Sequence, residues 1–220
     1  MTRKSKIVLI FTAALAAALL PVLGCGRGVD YTRYISEKRT EVYLYEDDSV
    51  SVKIQCSEKE QPFAADGYVG AVSPLCEIFV TLPKNPEELE VSVEGHGGEM
   101  NYQAVDKRFY LSFSAPAFNK DGVEVTLTYG GEQKTFNALS VKYAGVMNCE
   151  QAVNCVVEHD RALFDGLTKN NLFDGEIFVR LLFDEGCYYY VGVCDKSCHI
   201  TAFLIDGESG KILATKSMQG

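Results

Sequence analysis

The residues of this chain best suited to chemistry are its cysteines. They are densest in Cys194-Asp195-Lys196-Ser197-Cys198-His199, with Cys187 seven residues upstream. Two strands joined by a three-residue loop would set Cys194 opposite Cys198, Gly192 opposite Ile200 and Tyr190 opposite Ala202. Directly opposed residues hold their Cβ atoms about 4.5–5.5 Å apart, slightly long for a bridge but closable by local twist. A disulfide strained in this way is easily reduced, so thiol–disulfide exchange is one chemistry for the pair. Zinc is a second reading, but His199 falls on the opposite strand face from Cys198 and a fourth ligand is missing. Haem attachment uses C-x-x-C-H, from which the extra residue departs. Plain structural cysteines, oxidised or reduced, are the remaining reading.

Other chemistry has little support. The chain lacks a G-x-S-x-G elbow, an H-E-x-x-H pair and a glycine-rich phosphate loop. His96 sits in a glycine-rich turn, His159 in a helical pattern and His199 in a strand pattern, each simplest as a surface or packing residue. Leu163-Phe164-Asp165-Gly166 recurs as Leu172-Phe173-Asp174-Gly175, and loosely as Leu182-Phe183-Asp184-Glu185-Gly186. Asp-Gly makes tight turns and the aromatic anchors them, whereas a calcium loop needs oxygen ligands at alternate positions. No catalytic residue, metal or cofactor is therefore expected, and a non-enzymatic protein is.

Those residues need a compartment. Arg3, Lys4 and Lys6 form a basic start, and Ile7 to Leu23 follow without a charge. The segment is slightly short of the roughly 20 residues of a spanning helix and has Pro21 near its end. Its ending, Val22-Leu23-Gly24-Cys25, resembles the lipobox of bacterial lipoproteins, in which a small residue precedes a cysteine that becomes lipidated. Leu23 is bulkier than the usual occupant. The resemblance implies a signal peptide over 1–24, lipidation (palmitate and related acyl chains) at Cys25, and attachment to the outer face of the cell membrane. A signal anchor or plain secretion would also place the chain outside the cytoplasm.

Loss of the leader makes the remainder three charges more acidic than the −9 of the whole chain. Such a balance argues against nucleic acid and against a polybasic membrane patch. The membrane contact is then expected through the lipid at Cys25, and any further partner to be an extracellular protein, a peptidase or an envelope component. Seven cysteines remain beside Cys25, so they cannot all pair within one chain. Cys56 ends one predicted strand and Cys76 opens another, which makes them the natural pair if that region is bridged; two buried thiols are the equal alternative.

The elements that would position these residues are mostly strands. Residues 25–38 read as a tether. From Thr40 the pattern alternates, with Val50, Val52 and Ile54 against Ser51, Lys53 and Gln55. Further strands are expected at 68–72, 77–82, 89–94, 108–114, 123–129 and 135–143, broken by Pro83 and Pro86, Gly95 to Gly98, Asp121-Gly122 and Gly130-Gly131. This predicts an antiparallel, Ig-like β-sandwich over 39–145. Near 144–147 the period changes: Asn148 and Gln151 fit a helix cap, and Ala152, Cys155, Val156, His159 and Leu163 follow at helical spacing. Four strands return at 176–183, 187–194, 198–205 and 211–216. A small α+β domain, one helix on a four-strand antiparallel meander, is expected over 146–220.

The end of that domain resembles PepSY and PepSY-like domains, in whose closing hairpin an aspartate ends one strand and a Ser/Thr-Gly turn opens the next. Asp206, Ser209, Gly210 and Ile212 are the matching positions. The resemblance covers 147–220 and implies an extracytoplasmic role, with peptidase inhibition or regulation as one form of it. The cysteines here depart from the family pattern. The leading expectation is a binding or interaction module for a protein or envelope component; the alternatives are a peptidase inhibitor or regulator and a thiol-redox protein using Cys194 and Cys198.

Overall fold

The computed structural model describes residues 28–64 and 66–219, so Cys25 and the leader lie outside the described residues. After a 3-10 turn (Tyr31–Tyr34) come β1 (Ile35–Asp47), β2 (Val50–Glu60), β3 (Val72–Thr81), β4 (Glu90–Val93), β5 (His96–Glu99), β6 (Asn101–Gln103), β7 (Arg108–Phe113), β8 (Gly122–Tyr129) and β9 (Glu132–Ser140). Helices α1 (Cys149–His159) and α2 (Arg161–Gly166) follow, then the short ribbon β10 (Thr168–Lys169) with β11 (Leu172–Phe173), and the meander β12 (Gly175–Phe183), β13 (Cys187–Asp195), β14 (His199–Asp206) and β15 (Ile212–Gln219). The molecule is mainly β.

Its frame is a single long sheet in the order β15-β14-β13-β12-β1-β2-β3-β7-β6, to which β9, β8, β4 and β5 are linked through β1. All pairs are antiparallel except β1 with β12, which run parallel with Arg39 beside Arg180. Hydrogen bonding thus continues past the boundary expected at 145/146, and residues 31–220 form one compact unit. β1 is an interior strand, paired with β2 along one edge and with β12 and then β9 along the other.

Two packing arrangements cover the same face of this frame. Over β2, β3 and β7 lies the layer β9-β8-β4-β5, and Ile54, Ile78, Val80 and Phe109 meet Val91, Val93, Val125 and Leu127 in one core. Over β12 and β13 lies α1, whose Ala152, Val153 and Val156 are buried with Val179, Tyr189 and Val191. At a transfer energy of about 25 cal/mol per Å² these apolar faces supply the main drive for folding. The helix begins as its sequence requires: Asn148 Oδ1 accepts from Gln151 N at 2.8 Å, and Gln151 Oε1 accepts from Asn148 N at 2.8 Å. It ends at His159, about a turn early, because Asp160 leaves helical geometry and caps α2 by accepting from Leu163 N.

Some local expectations change. Residues 68–71 belong to a loop rather than a strand, β1 begins inside the expected tether, and the glycine-rich 95–99 segment contributes β5. The Phe164 and Phe173 of the repeated Leu-Phe-Asp-Gly stack on each other at 5.7 Å, with Tyr31 edge-on to both. At the closing hairpin, Asp206 Oδ1 accepts from Ser209 N and Ser209 Oγ, and Gly210 takes a positive φ of 71°. A Cβ there would also lie 2.8 Å from Cys155 Sγ, so any other residue must push that sulfur aside as well as bear the positive φ.

Candidate functional site

The β13–β14 hairpin does not oppose Cys194 and Cys198. Cys194 pairs with Ile200, Gly192 with Ala202 and Tyr190 with Leu204, a register two residues away from the expected one. The cause is Asp195, whose Oδ1 accepts from Ser197 N and His199 N and rounds the loop, leaving Cys198 in the turn at φ 60°. Cys194 is buried and Cys198 exposed, and both are free thiols. Burial pushes the Cys194 thiol up to about 11, helped by the neighbouring Cys198, Asp195 and Glu176. A thiol held that high is a poor nucleophile at neutral pH. Cys56 and Cys76 do face each other across β2 and β3, fully buried, with their sulfurs 3.9 Å apart. They too are thiols, and their mutual hydrogen bond and burial hold Cys76 far above its ordinary value. Among the described residues, no group of three or more His, Cys, Asp and Glu side chains is placed to hold a metal ion, and no helix is long and apolar enough to cross a membrane.

Beside Cys194 lies a feature that the residue pattern did not single out. Glu176 opposes Cys194 at the start of β12 and is fully buried, near Ser36 and Glu60, which are 1% and 8% exposed. Two backbone amides of the loop joining β2 to β3 bind these acids: Asp66 N donates to Glu176 Oε1 at 3.2 Å, and Gly70 N to Glu60 Oε1 at 2.5 Å. The second oxygen of each glutamate and the Ser36 hydroxyl are buried without a hydrogen-bond partner. Burial raises the Glu176 carboxyl and the charges of Glu60 and Asp66 add to it, opposed by the hydrogen bond from Asp66 N, leaving the group at about 7. It therefore exchanges a proton near neutrality, under a loop that carries the exposed rings of Phe63 and Tyr68.

From Glu176 the outer face of the long sheet runs in both directions. Strand alternation places Phe178 and Arg180 of β12, Tyr190 of β13 and Leu204 of β14 on this face, and the Arg180 guanidinium lies 5.4 Å from the Tyr190 ring and 5.9 Å from the Phe178 ring. Gly192 lies beneath these rings: a Cβ would be 3.0 Å from Tyr190 Oη and 3.2 Å from Phe178. A shallow groove of about 260 Å³ continues over Tyr190, Ala202, Leu204, Ala214, Lys216 and Met218. In the other direction come Glu37 and Arg39 of β1, Lys53 and Lys59 of β2, Glu77 and Phe79 of β3, and Arg108 and Tyr110 of β7. Arg180 binds Glu37 through Nε at 2.8 Å and Nη2 at 2.6 Å, Lys59 approaches Glu77 at 3.7 Å, and Arg108 lies 4.3 Å over Phe79. Both the helix and the second layer pack on the opposite face. Among the described residues no strand or helix lies on this one; the loop joining β2 to β3 covers its Glu176 end, with Phe63 5.3 Å from Phe178, and Val42, Gln55 and Ser57 within the face are buried.

No protein-family model matches this chain, and no curated protein or solved structure matches it either.

The electrostatics of the face follow from its geometry. Burial pushes Glu37 up, but the hydrogen bonds and charge of Arg180, with Lys59 and Arg39 behind it, outweigh burial and leave the carboxyl below its ordinary value. Lys53 is lowered by burial and by the like charges of Arg39 and Arg108. What the arrangement offers is a broad, uncovered surface of aromatic rings and guanidinium groups, which are the side chains enriched where proteins meet. A second concavity, of about 530 Å³, lies between α1 and the Asp206 turn, lined by Met147, Asn154, Cys155, Glu158 and Ser209.

Proposed function

We propose that this chain is an extracytoplasmic lipoprotein, anchored to the outer face of the cell membrane through lipid on Cys25, that acts as a non-enzymatic binding module. The observation that carries the binding reading is the uncovered face with Phe178, Arg180, Tyr190 and Leu204. A folded chain leaves aromatic area of this kind unopposed at a cost in solvation that a partner relieves. Residues 39–145 are read as an Ig-like sandwich and 146–220 as a PepSY-like unit, joined edge to edge through β1 and β12. The anchoring reading rests on the resemblance of Val22 to Cys25 to a lipobox.

The test has two parts. Replacing Cys25 by Ser should release the protein from the membrane fraction and abolish the mass added by diacylglycerol. A photo-crosslinking amino acid placed at Tyr190 or Phe79 in living cells should give adducts, whereas the same probe at exposed Asn154 on α1 should not. Adducts from Asn154 alone would move the binding surface to the helix side. That outcome would favour the second reading, regulation of a peptidase through 146–220, which draws on the concavity between α1 and the Asp206 turn.

A further inference from the structure

The chain carries 21 basic and 30 acidic residues, yet these charges are not spread evenly. Along β12, β1, β2, β3 and β7 the outer face of the sheet holds Arg180, Arg39, Lys53, Lys59 and Arg108, against Glu37, Glu77 and, at its ends, Glu46 and the buried Glu176, with Asp106 at its rim on Arg108. A basic face on an acidic protein is a local field of the opposite sign, which steers and selects partners. The guanidinium groups are also incompletely used. Nε of Arg39 and Nε of Arg108 are buried and have no acceptor. Arg39 lies next to Arg180 in register, so two guanidinium groups share the acids available there. Its own charge is disfavoured first by burial, with Glu37 supporting it and Arg180 opposing it.

We propose that this face docks a carboxylate-rich protein surface, whose Asp and Glu side chains balance the excess positive charge of Arg39, Lys53 and Arg108. The inference rests on the binding-module reading and deepens it by assigning the partner's chemistry. Guanidinium groups meet carboxylates as paired, charge-assisted hydrogen bonds. The choice of protein over a phosphate-bearing polymer follows from the adjoining half of the same face. Tyr190, Leu204, Ala214 and Met218 form an apolar extension that a phosphodiester chain would leave wet and a protein would cover. The partner is therefore acidic towards β2 and β3 and apolar towards β14 and β15.

The experiment measures binding of the detergent-solubilised full chain to a fluorescent glutamate–tyrosine copolymer, with sodium polyphosphate as the comparator, at 50 and 200 mM salt. Saturable binding of the copolymer, stronger than that of polyphosphate and weakened by salt, is expected. Lys53→Glu should weaken it about tenfold, and Lys53→Gln by less, because reversal both removes an attraction and adds a repulsion among screened charges. Lys53 sits between Arg39 and Arg108, so neither change buries a like charge, and the two variants separate charge from misfolding. Tyr190→Ala should weaken the copolymer and leave polyphosphate unchanged. Preference for polyphosphate, or copolymer binding indifferent to Lys53→Glu, would overturn the acidic-protein assignment while crosslinked adducts at Tyr190 kept the binding module. Loss of both the adducts and the copolymer binding would overturn the two together.

Discussion

Replacing Glu176 by Gln should make this protein more stable at pH 8 and leave it nearly unchanged at pH 4.5. The carboxyl is raised from 4.5 to about 7 by burial and by its acidic neighbours Glu60 and Asp66. Its folded pKa thus lies above its unfolded one, so the folded state holds the proton more tightly. The associated stability is fully present below about pH 4.5, is lost as pH rises towards 7, and does not return above it. The full displacement corresponds to about 3 kcal/mol, and about 2 kcal/mol once solvent screening at the loop is allowed for. Gln keeps the oxygen that accepts from Asp66 N at 3.2 Å and cannot ionise. Urea denaturation of both proteins at the two pH values isolates the effect as a double difference. A gain of about 2 kcal/mol at pH 8, or a Tm higher by about 4–8 °C, is expected. An equal effect at both pH values, or a loss that grows with pH, would refute the reasoning, because the ionised carboxylate would then be stabilised in the fold.

Further expectations follow from other contacts. Glu41→Ala should cost about 3 kcal/mol by urea titration, since Glu41 accepts from Phe118 N, Asn119 N and Tyr43 Oη and their donors would be left unpaired. Asn148→Ala removes the capping box of α1 and should cost about 1 kcal/mol, with amide exchange accelerating first at Gln151. Gly210→Ala should destabilise through both its φ of 71° and the clash with Cys155; adding Cys155→Ala should recover only the part due to the clash. Timed alkylation at pH 8 should label exposed Cys198 at once and Cys194, Cys56 and Cys76 only on unfolding. Prompt labelling of Cys194 would reopen its redox reading.

Much of the strand content was legible because period-two alternation is local. Val50, Val52 and Ile54 read as one buried face, and they are one. The helix cap was legible for the same reason: Asn148 and Gln151 carry their own hydrogen-bond geometry. The parallel seam between β1 and β12 was not, since it joins segments about 140 residues apart and is written in neither. The register of Cys194 was missed because one Asp195 carboxylate re-rounded the loop, a choice that cysteine spacing does not encode. Glu176 looked like an ordinary polar residue opening an apolar strand; it became a buried acid only when the loop at Asp66 and Gly70 closed over it. Net charge concealed the basic face, whose five cations come from four segments of an acidic chain.

The position of β1 has a mechanical consequence. It is an interior strand, hydrogen-bonded to β2 along one edge and to β12 along the other. Tension entering at residue 31 would therefore load two ladders in shear at once, with many bonds resisting together, whereas a strand at the rim would peel one bond at a time. If the leader tethers the chain to a membrane as proposed, a drag on any captured partner would reach the fold at a strand braced on both edges. The rim strands β15, β6 and β5, each paired along one edge only, lack this bracing.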